Sequence, residues 1–294
     1  MNIRLVRKKI KSVSNVRKIT KAMQMVSAVK MKKSQKNAKQ GEPYQYELKK
    51  IIQNVILKTD ISHSVLLQSP PEDVKKTLNI VITSNKGLCG VFNFNLIKLL
   101  INECDINDDD FIIVGKKGGE IISRMGGNII ADFTQSNLIT DVSAIFNLAL
   151  TNYLTNKYKS VSQIFNLFIS TLKVDPIKEQ LFPVCLKFKE EDIDKDKKIK
   201  EKEETSEYTI EPSPREILDS LLKNYVEERI RNAIIQSEAG EHSSRMIAMK
   251  DATENANDVV YNLTLLRNKL RQQKITYELL DMITAKESVE EGRV

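Results

Sequence analysis

The sequence of 294 residues contains no tryptophan, and its aromatic content is only 6%. Aromatic side chains supply much of the buried area of compact domains. A low aromatic content with abundant Lys, Glu, Ile, Leu and Asn is more typical of long helices than of a purely globular chain. No apolar run approaches the roughly 20 residues that span a bilayer, so we expect no transmembrane helix.

Cysteine and histidine are also scarce. Cys89, Cys104 and Cys185 are odd in number and show no C-x-x-C spacing, which indicates a reducing compartment and no disulfide framework. His63 and His242 stand alone in the sequence. Two isolated histidines are too few for a zinc site, so we expect neither a metal nor a cofactor.

Acidic residues are absent from positions 1–40, which carry thirteen Lys and Arg side chains. The net charge of the whole chain is +7, so the remainder of the chain is net acidic. A basic end of this density predicts an acidic partner, which can be nucleic acid, lipid headgroups or carboxylate-rich protein. It also fits an organelle transit peptide, although the lysine-rich pattern continues directly into a regular helical pattern.

The first region, residues 1–58, is predicted to be a helix that pairs with another helix. Its apolar positions recur every three or four residues: Ile3, Val6, Ile10, Val13, Val16, Ile19, Met23, Val26 and Val29. We expect Gly41 and Pro43 to bend or briefly interrupt this helix, because proline lacks a backbone donor and clashes with the preceding turn.

The middle region, residues 77–188, changes to short β-branched runs separated by helical segments. The predicted strands are LNIVIT (78–83), FIIVG (111–115), IIADF (129–133) and IFNLFISTL (164–172), with helical character at 95–104 and 141–158. This alternation predicts a mainly parallel sheet covered by helices, a Rossmann-like α/β domain. A last strand at 181–188 is expected at an edge, because Pro183 cannot donate to a ladder.

The remaining sequence divides into a charged stretch and one long helix. Residues 190–207, within a linker at 189–212, are almost entirely charged and predict a solvated insertion. Residues 213–288 predict a helix of roughly 110 Å. Its apolar residues follow heptad spacing and indicate a seam that needs a partner helix: Met249, Ala252, Ala256, Val259, Leu263, Leu266 and Leu270, continued by Tyr277 and Leu280.

The N-terminal helix is the natural partner for this seam. The fold class predicted is therefore α+β overall: a long antiparallel coiled coil of the N- and C-terminal helices, plus the central α/β domain.

Two segments of the middle domain have the composition of anion-binding loops. TSNKGLCG (83–90) follows the first strand, and KKGG (116–119) follows the second. Neither has the glycine spacing of a phosphate loop or of a dinucleotide fingerprint, so tight turns between strand and helix are the simpler interpretation. Glu278 and Asp281 lie three residues apart on one helix face, but a single such pair without a pocket is weak support for acid–base chemistry.

Four segments, in this order, resemble the gamma subunit of F-type ATP synthases. They are KITKAMQMVSAVKM (18–31), ITSNKGLCGVFN (82–93), SSRMIAMKDATENA (243–256) and RQQKITYELLD (271–281). Val91 stands where that family usually has a second glycine.

The resemblance implies a non-catalytic central stalk. In the family, the terminal helices form an antiparallel coiled coil inside a ring of three alpha and three beta subunits. The α/β domain lies below with the epsilon subunit and the membrane-embedded c-ring. Proton flow turns the c-ring and the stalk, and the asymmetric stalk drives each beta subunit through its nucleotide-binding states.

The resemblance also implies which residues touch partners. Lys18, Lys21 and Met23 would face acidic residues of the beta subunits, and Arg271, Gln272, Thr276 and Glu278 would contact the same subunits higher in the ring. Lys86, Gly87, Leu88 and Cys89 would lie near the foot of the stalk. Association with the cytoplasmic face of a bacterial plasma membrane, or alternatively with an organelle inner membrane, would be peripheral and through the c-ring.

Two other classes of protein remain open from the residues alone. A basic coiled coil that binds nucleic acid would explain residues 1–40, although no aromatic side chains are interleaved there for base stacking. A Rossmann-like enzyme would explain the middle domain. Neither explains four family segments in order, so we expect no nucleic-acid partner and no catalysis by this chain.

Overall fold

The structure is a computed structural model that describes residues 2–57, 64–71, 73–134, 140–185, 210–211 and 213–291. The predicted insertion at 190–207 lies outside these residues. The elements in chain order are α1 (Ile3–Leu57), β1 (Thr77–Ile82), α2 (Phe92–Glu103), β2 (Asp110–Val114), α3 (Lys116–Arg124), β3 (Asn128–Asp132), α4 (Val142–Leu154), β4 (Ser160–Phe168), β5 (Val174–Phe182) and α5 (Pro214–Glu291).

Both predicted terminal helices are present, but the interruption predicted at Gly41 and Pro43 is wrong. Helix α1 is continuous through both residues. Pro43 is exposed, so the carbonyl group that loses its helical partner there can be hydrated. Helix α5 starts with a serine N-cap: the Ser213 hydroxyl accepts a hydrogen bond from the Glu216 N–H at 3.3 Å and donates to the Glu216 carboxylate at 3.0 Å.

The sheet has the order β3-β2-β1-β4-β5. Its first four strands are parallel and β5 is antiparallel to β4, which confirms the mainly parallel sheet.

The boundaries of the last two strands were predicted wrongly. Strand β4 ends at Phe168 instead of 172, and the edge strand is Val174–Phe182 instead of 181–188. The edge strand contains Pro176, Lys178 and Glu179. Proline and charged residues are tolerated in an edge strand. Because they interrupt the run of apolar residues, the strand could not be recognised from hydrophobicity.

Apolar side chains cover both faces of the sheet. One cluster joins Leu78, Ile80 and Ile82 of β1 to α4, to the end of α1 and to residues 218–234 of α5. The other joins Val81 to α2 and α3. The alternation of β1 side chains between two covered faces is typical of a parallel sheet with helices on both sides.

A polar cluster lies at the amino-terminal ends of β2, β3 and β4. The buried Asp110 carboxylate accepts hydrogen bonds from the Tyr158 hydroxyl at 2.6 Å and from the Asn128 amide at 2.7 Å. Burial acts to raise the pKa of Asp110, but these hydrogen bonds and the charge of Lys76 outweigh it and hold the pKa below its ordinary value.

The chain divides into two compact units. One contains residues 1–28 with residues 245–294, and the other contains residues 29–244. The first unit is a helix pair, and the second contains the sheet and its helices.

Candidate functional site

The helix pair of the first unit is antiparallel, and two interhelical hydrogen bonds define its register. The hydroxyl groups of Thr20 and Thr253 lie 2.8 Å apart, and the Arg17 guanidinium donates to the Asn257 side chain at 3.1 Å. Lower residue numbers on α1 thus pair with higher residue numbers on α5, as in an antiparallel pair. The same register places Ile3, the first residue of α1, opposite Leu270.

The buried face of α1 differs from the predicted stripe. Val6, Thr20 and Ser27 are buried, whereas Val16, Ile19 and Val26 are exposed. The at least half-buried positions of α1 in this unit include a series with strict heptad spacing, with Ser14, Met23 and Ala28 beside it: Ile3, Val6, Ile10, Val13, Arg17, Thr20, Gln24 and Ser27. The predicted stripe instead takes three consecutive steps of three residues after Ile10. Each such step turns about 300°, and the stripe therefore rotates off the contact face.

The seam predicted on α5 is correct only in part. Met249 and Ala256 are buried and Leu263, Leu266 and Leu270 are partly buried, as expected, but Val259 is exposed. Tyr277 and Leu280 continue the heptad pattern, yet they lie past the point that α1 reaches and are exposed. An apolar period identifies a seam without showing how far the partner helix extends along it.

Six basic residues in the first part of α1 lie at the surface and form no ion pair with the described residues. In the first unit as described, none of the side chains of Arg4, Arg7, Lys8, Lys9, Lys11 and Lys18 takes part in an ion pair, and all six are exposed. Lys21 is exposed and donates to the Gln24 side chain at 3.3 Å, and Met23 between them is half-buried. Lys18, Lys21 and Met23 therefore lie on a positive surface with apolar residues beside it.

The end of α5 is a single helix among the described residues. All side chains from 271 to 286, about 24 Å of helix, are exposed. They include Arg271, Gln272, Thr276 and Glu278, of which Glu278 forms an ion pair with Lys274 at 3.3 Å. Six large apolar side chains are exposed on the same segment: Ile275, Tyr277, Leu279, Leu280, Met282 and Ile283. So much exposed apolar surface on one short segment marks a site that a partner covers.

The structure does not bring the two predicted contact groups of the first unit together. Residues 18–23 of α1 lie opposite the part of α5 around Thr253. Arg271 to Glu278 begin beyond the first residue of α1. The two groups therefore form separate surfaces along the helix pair.

The loop at 83–90 belongs to the second unit and is held by its own side chains. The Asn93 amide donates to the Ser84 hydroxyl at 2.7 Å and contacts the Cys89 sulfur at 3.3 Å. Cys89 is buried, whereas Lys86, Gly87 and Leu88 are exposed. Three of the four predicted contact residues in this loop therefore lie at the surface, and the Cys89 thiol supports the loop from inside.

The backbone donors at the start of α3 are directed to protein oxygens. The Gly118 N–H donates to the Thr83 hydroxyl at 2.8 Å, and the Lys116 N–H donates to the Asn85 side chain at 3.0 Å. The Lys117 N–H donates to the Ser84 carbonyl at 3.0 Å. A phosphate at this helix N-terminus would have to displace all three acceptors, so KKGG is the first turn of a helix and the loop at 83–90 is its cap.

The crevice between β1 and β4, where the strand order reverses, is filled by the chain itself. In doubly wound sheets this is where a nucleotide binds. Here the Asn166 amide on β4 donates to the Phe92 carbonyl at 3.3 Å. A Cβ atom at Gly240 of α5 would lie 2.9 Å from Val174 and 3.3 Å from Phe92. The start of α2, the start of β5 and α5 thus meet at close contact there.

Other functional features are absent from the described part of the chain. None of its helices is long and apolar enough to cross a membrane. Its His, Cys, Asp and Glu side chains form no group that could hold a metal ion.

Sequence reasoning missed Arg17, Thr20 and Gly240. The first two could have been found by extending the strict heptad from Ile3 into polar residues. Gly240 has no local signal of this kind, because its close neighbours Val174 and Phe92 are distant in sequence.

Two long terminal helices with surfaces that need partners, joined to a doubly wound domain whose nucleotide crevice is filled, define a protein that acts by contact with other subunits. A family model described as "ATP synthase" matches residues 2–289. The chain is 34% identical to the ATP synthase gamma chain of Bdellovibrio bacteriovorus, over 97% of each chain. It is also 34% identical to that of Glaesserella parasuis, over 95% of this chain and 96% of the relative.

Solved structures show the same fold. A chain of the Euglena gracilis mitochondrial ATP synthase, in an assembly of OSCP, F1 and c-ring, is similar with a TM-score of 0.66 at 17% identity and covers 99% of this chain and 95% of its own. A chain from the central stalk and c-ring of the Tetrahymena thermophila mitochondrial ATP synthase gives a TM-score of 0.57 at 25% identity, over 80% of this chain and 99% of its own. The chain belongs to the gamma chain family of ATP synthases.

Proposed function

We propose that this chain is the central rotor subunit of an F-type ATP synthase. It couples proton flow through the membrane sector to ATP synthesis or hydrolysis in the ring of alpha and beta subunits. The observation that carries this function is the surface of the helix pair. Among the described residues, α1 between Arg4 and Lys18 presents basic side chains that form no ion pair, although Arg17 donates a hydrogen bond to Asn257, and the end of α5 presents apolar side chains that α1 does not reach. Exposed apolar surface of this extent supports a contact with a partner.

The asymmetry of the helix pair supplies the mechanism. The two helices lie on different sides of the pair's long axis, and among the described residues α5 continues beyond Leu270 without α1 beside it. In a ring of equivalent subunits, each subunit therefore meets a different part of the pair. A contact that is more favourable for one conformation than for another shifts that subunit toward it, so rotation changes the three sites in turn. The chemistry belongs to the ring, and the rotor chain is not itself a catalyst.

We assign the positive surface of α1 to the beta subunits. Lys18 and Lys21 are exposed, and no acidic residue occurs in the first 40 positions to neutralise them. Acidic side chains of the ring would form the missing ion pairs, and the half-buried Met23 would lie at the border of that contact. The single-helix end, with Arg271, Gln272, Thr276 and Glu278, takes the position higher in the ring.

We assign the α/β domain to the foot of the rotor, where the epsilon subunit and the c-ring bind. Exposed Lys86, Gly87 and Leu88 contribute a partner contact there, and buried Cys89 keeps their loop in shape. Through the c-ring the chain associates peripherally with a membrane. Its bacterial relatives favour the cytoplasmic face of a plasma membrane, with an organelle inner membrane as the alternative.

Affinity purification of the tagged chain from cells that express all subunits tests this proposal. The alpha and beta subunits should co-purify, and membrane vesicles that contain the complex should pump protons when ATP is added. A chain that co-purifies with neither subunit would contradict the proposal. Binding of the purified chain to DNA with a steep dependence on salt would instead favour the nucleic-acid interpretation.

A further inference from the structure

The α/β domain contacts α5 through two kinds of interaction, one non-directional and one directional. Apolar residues of α5 between Leu218 and Ile234 pack on one face of the sheet. Such packing is non-directional, so it holds the sheet against the helix but offers limited resistance to sliding. The edge strand β5 adds contacts of a different kind, which fix specific atoms to one another.

The first of these contacts is an ionic and polar network. The Arg229 guanidinium of α5 forms an ion pair with the Glu179 carboxylate of β5 and donates a hydrogen bond to the Gln180 carbonyl at 3.2 Å. The Gln163 amide of β4 donates to the other Glu179 oxygen at 2.7 Å. The Arg229 guanidinium also lies over the Tyr225 ring, 5.6 Å from its centroid. Arg229 is thus held in place on several sides.

The second and third contacts lie further along α5, at the start of β5 and at the turn that precedes it. Gly240 approaches Val174 so closely that a Cβ atom there would be 2.9 Å away. The fully buried Ser243 donates from its hydroxyl to the Thr171 carbonyl at 2.6 Å. As the residue number rises on α5, it falls from Gln180 to Thr171 on the hairpin. The helix and the edge strand therefore lie side by side and run in opposite directions.

The distance between these contacts gives them mechanical importance. From Arg229 to Ser243 the helix rises about 21 Å. Two directional contacts separated by such a length resist rotation of the sheet against the helix far better than one contact or a sliding apolar face. We propose that this strip, from the Arg229–Glu179 ion pair to the Ser243–Thr171 hydrogen bond, is the joint that transmits torque between the α/β domain and α5. Arg229 and Glu179 are its positioning residues; the inference rests on the proposed rotor function.

A charge exchange tests the joint in the assembled complex. Arg229→Glu and Glu179→Arg each place like charges together, while the double variant restores an opposite pair. Arg231→Glu is the matched control, because Arg231 pairs with Glu227 and Glu228 of α5 itself at 3.5 and 3.1 Å and not with β5. The measurements are the yield of complex, the rate of ATP hydrolysis and ATP-driven proton pumping in vesicles.

Residues within one ion-pair network are coupled strongly enough to shift a local equilibrium by about two- to hundredfold. We therefore expect each single variant to lower the ratio of pumping to hydrolysis by about twofold or more, with normal yield. The double variant should recover the ratio, and the control should keep it. A purely structural role would change yield and leave the ratio in the assembled complex unaltered.

Unchanged ratios in both single variants would overturn the proposed joint, and so would a double variant that fails to recover. If a charge reversal prevents assembly, Arg229→Gln removes the ion pair without adding repulsion. An unchanged ratio of pumping to hydrolysis in that variant would also overturn the proposed joint. Absence of proton pumping by the unmodified complex would instead contradict the rotor function itself.

Discussion

A comparison of two helical glycines provides a quantitative test of the contact between α5 and the sheet. Gly240→Ala would place a Cβ atom 2.9 Å from a Val174 methyl group and 3.3 Å from the Phe92 ring. Gly41→Ala is the matched control within the same compact unit, because its Cβ would lie 3.9 Å from the nearest side-chain atoms. Both glycines lie inside long helices, so alanine gains the same helix propensity at each.

The expected effects on the free energy of unfolding follow from two opposing contributions. Alanine in place of glycine within a helix stabilises by about 1 kcal/mol. A methyl group forced into filled space costs about 1–3 kcal/mol. Gly41→Ala should therefore raise the stability of the unit by about 1 kcal/mol. The free energy of unfolding of Gly240→Ala should be about 1–3 kcal/mol lower than that of the Gly41→Ala control.

Urea unfolding of the full-length chain, with hydrogen exchange of the β4 and β5 amides as the local readout, measures this difference. Adding Val174→Ala to the Gly240→Ala variant should recover part of the loss, because it removes the methyl group nearest to the new Cβ. Val174→Ala alone is the reference for that cycle. If the two glycine variants agree to within about 0.5 kcal/mol, the close approach of α5 to the sheet is refuted.

Three further predictions concern other parts of the chain. Met23→Lys should lower ATP-driven proton pumping relative to hydrolysis at normal complex yield, through a new ion pair with partner carboxylates of about 1.5–3 kcal/mol; Met25→Lys on an exposed face is the control, and reduced yield would indicate a packing role instead. Deletion of residues 190–207 should leave assembly and ATP hydrolysis intact, and loss of assembly would identify a docking element. The lowered pKa of Asp110 stabilises the fold fully above the ordinary carboxyl pKa of about 3.9, and this stabilisation should be lost as the pH falls through the lower folded-state pKa. The urea midpoint of the Asp110→Asn variant should therefore fall less at acid pH than that of the unmodified chain. Identical profiles of midpoint against pH would contradict a stabilising role of the ionised Asp110 carboxylate.

The candidate site could be read from the sequence only in part. The positive residues of α1 were predictable, because charge and the absence of acid in the first 40 positions need no structure. The seam was not, since an apolar stripe and a heptad diverge after Val13. On the contact face Thr20 is buried and Arg17 is partly buried, whereas Val16 and Ile19 are exposed. Which face is buried depends on the partner helix, and that information is not local.

The sequence by itself determined the two long helices, the alternation of strands and helices between them, and the family. Each of these depends on local periodicity or on short contiguous segments. The tertiary structure decided three other features: the continuity of α1 through Pro43, the edge strand at Val174–Phe182, and the exposure of α5 beyond Leu270. The edge strand and the exposed end of α5 depend on contacts between residues far apart in sequence, and the continuity of α1 depends on the solvent exposure of Pro43. A short window of the sequence contains neither kind of information.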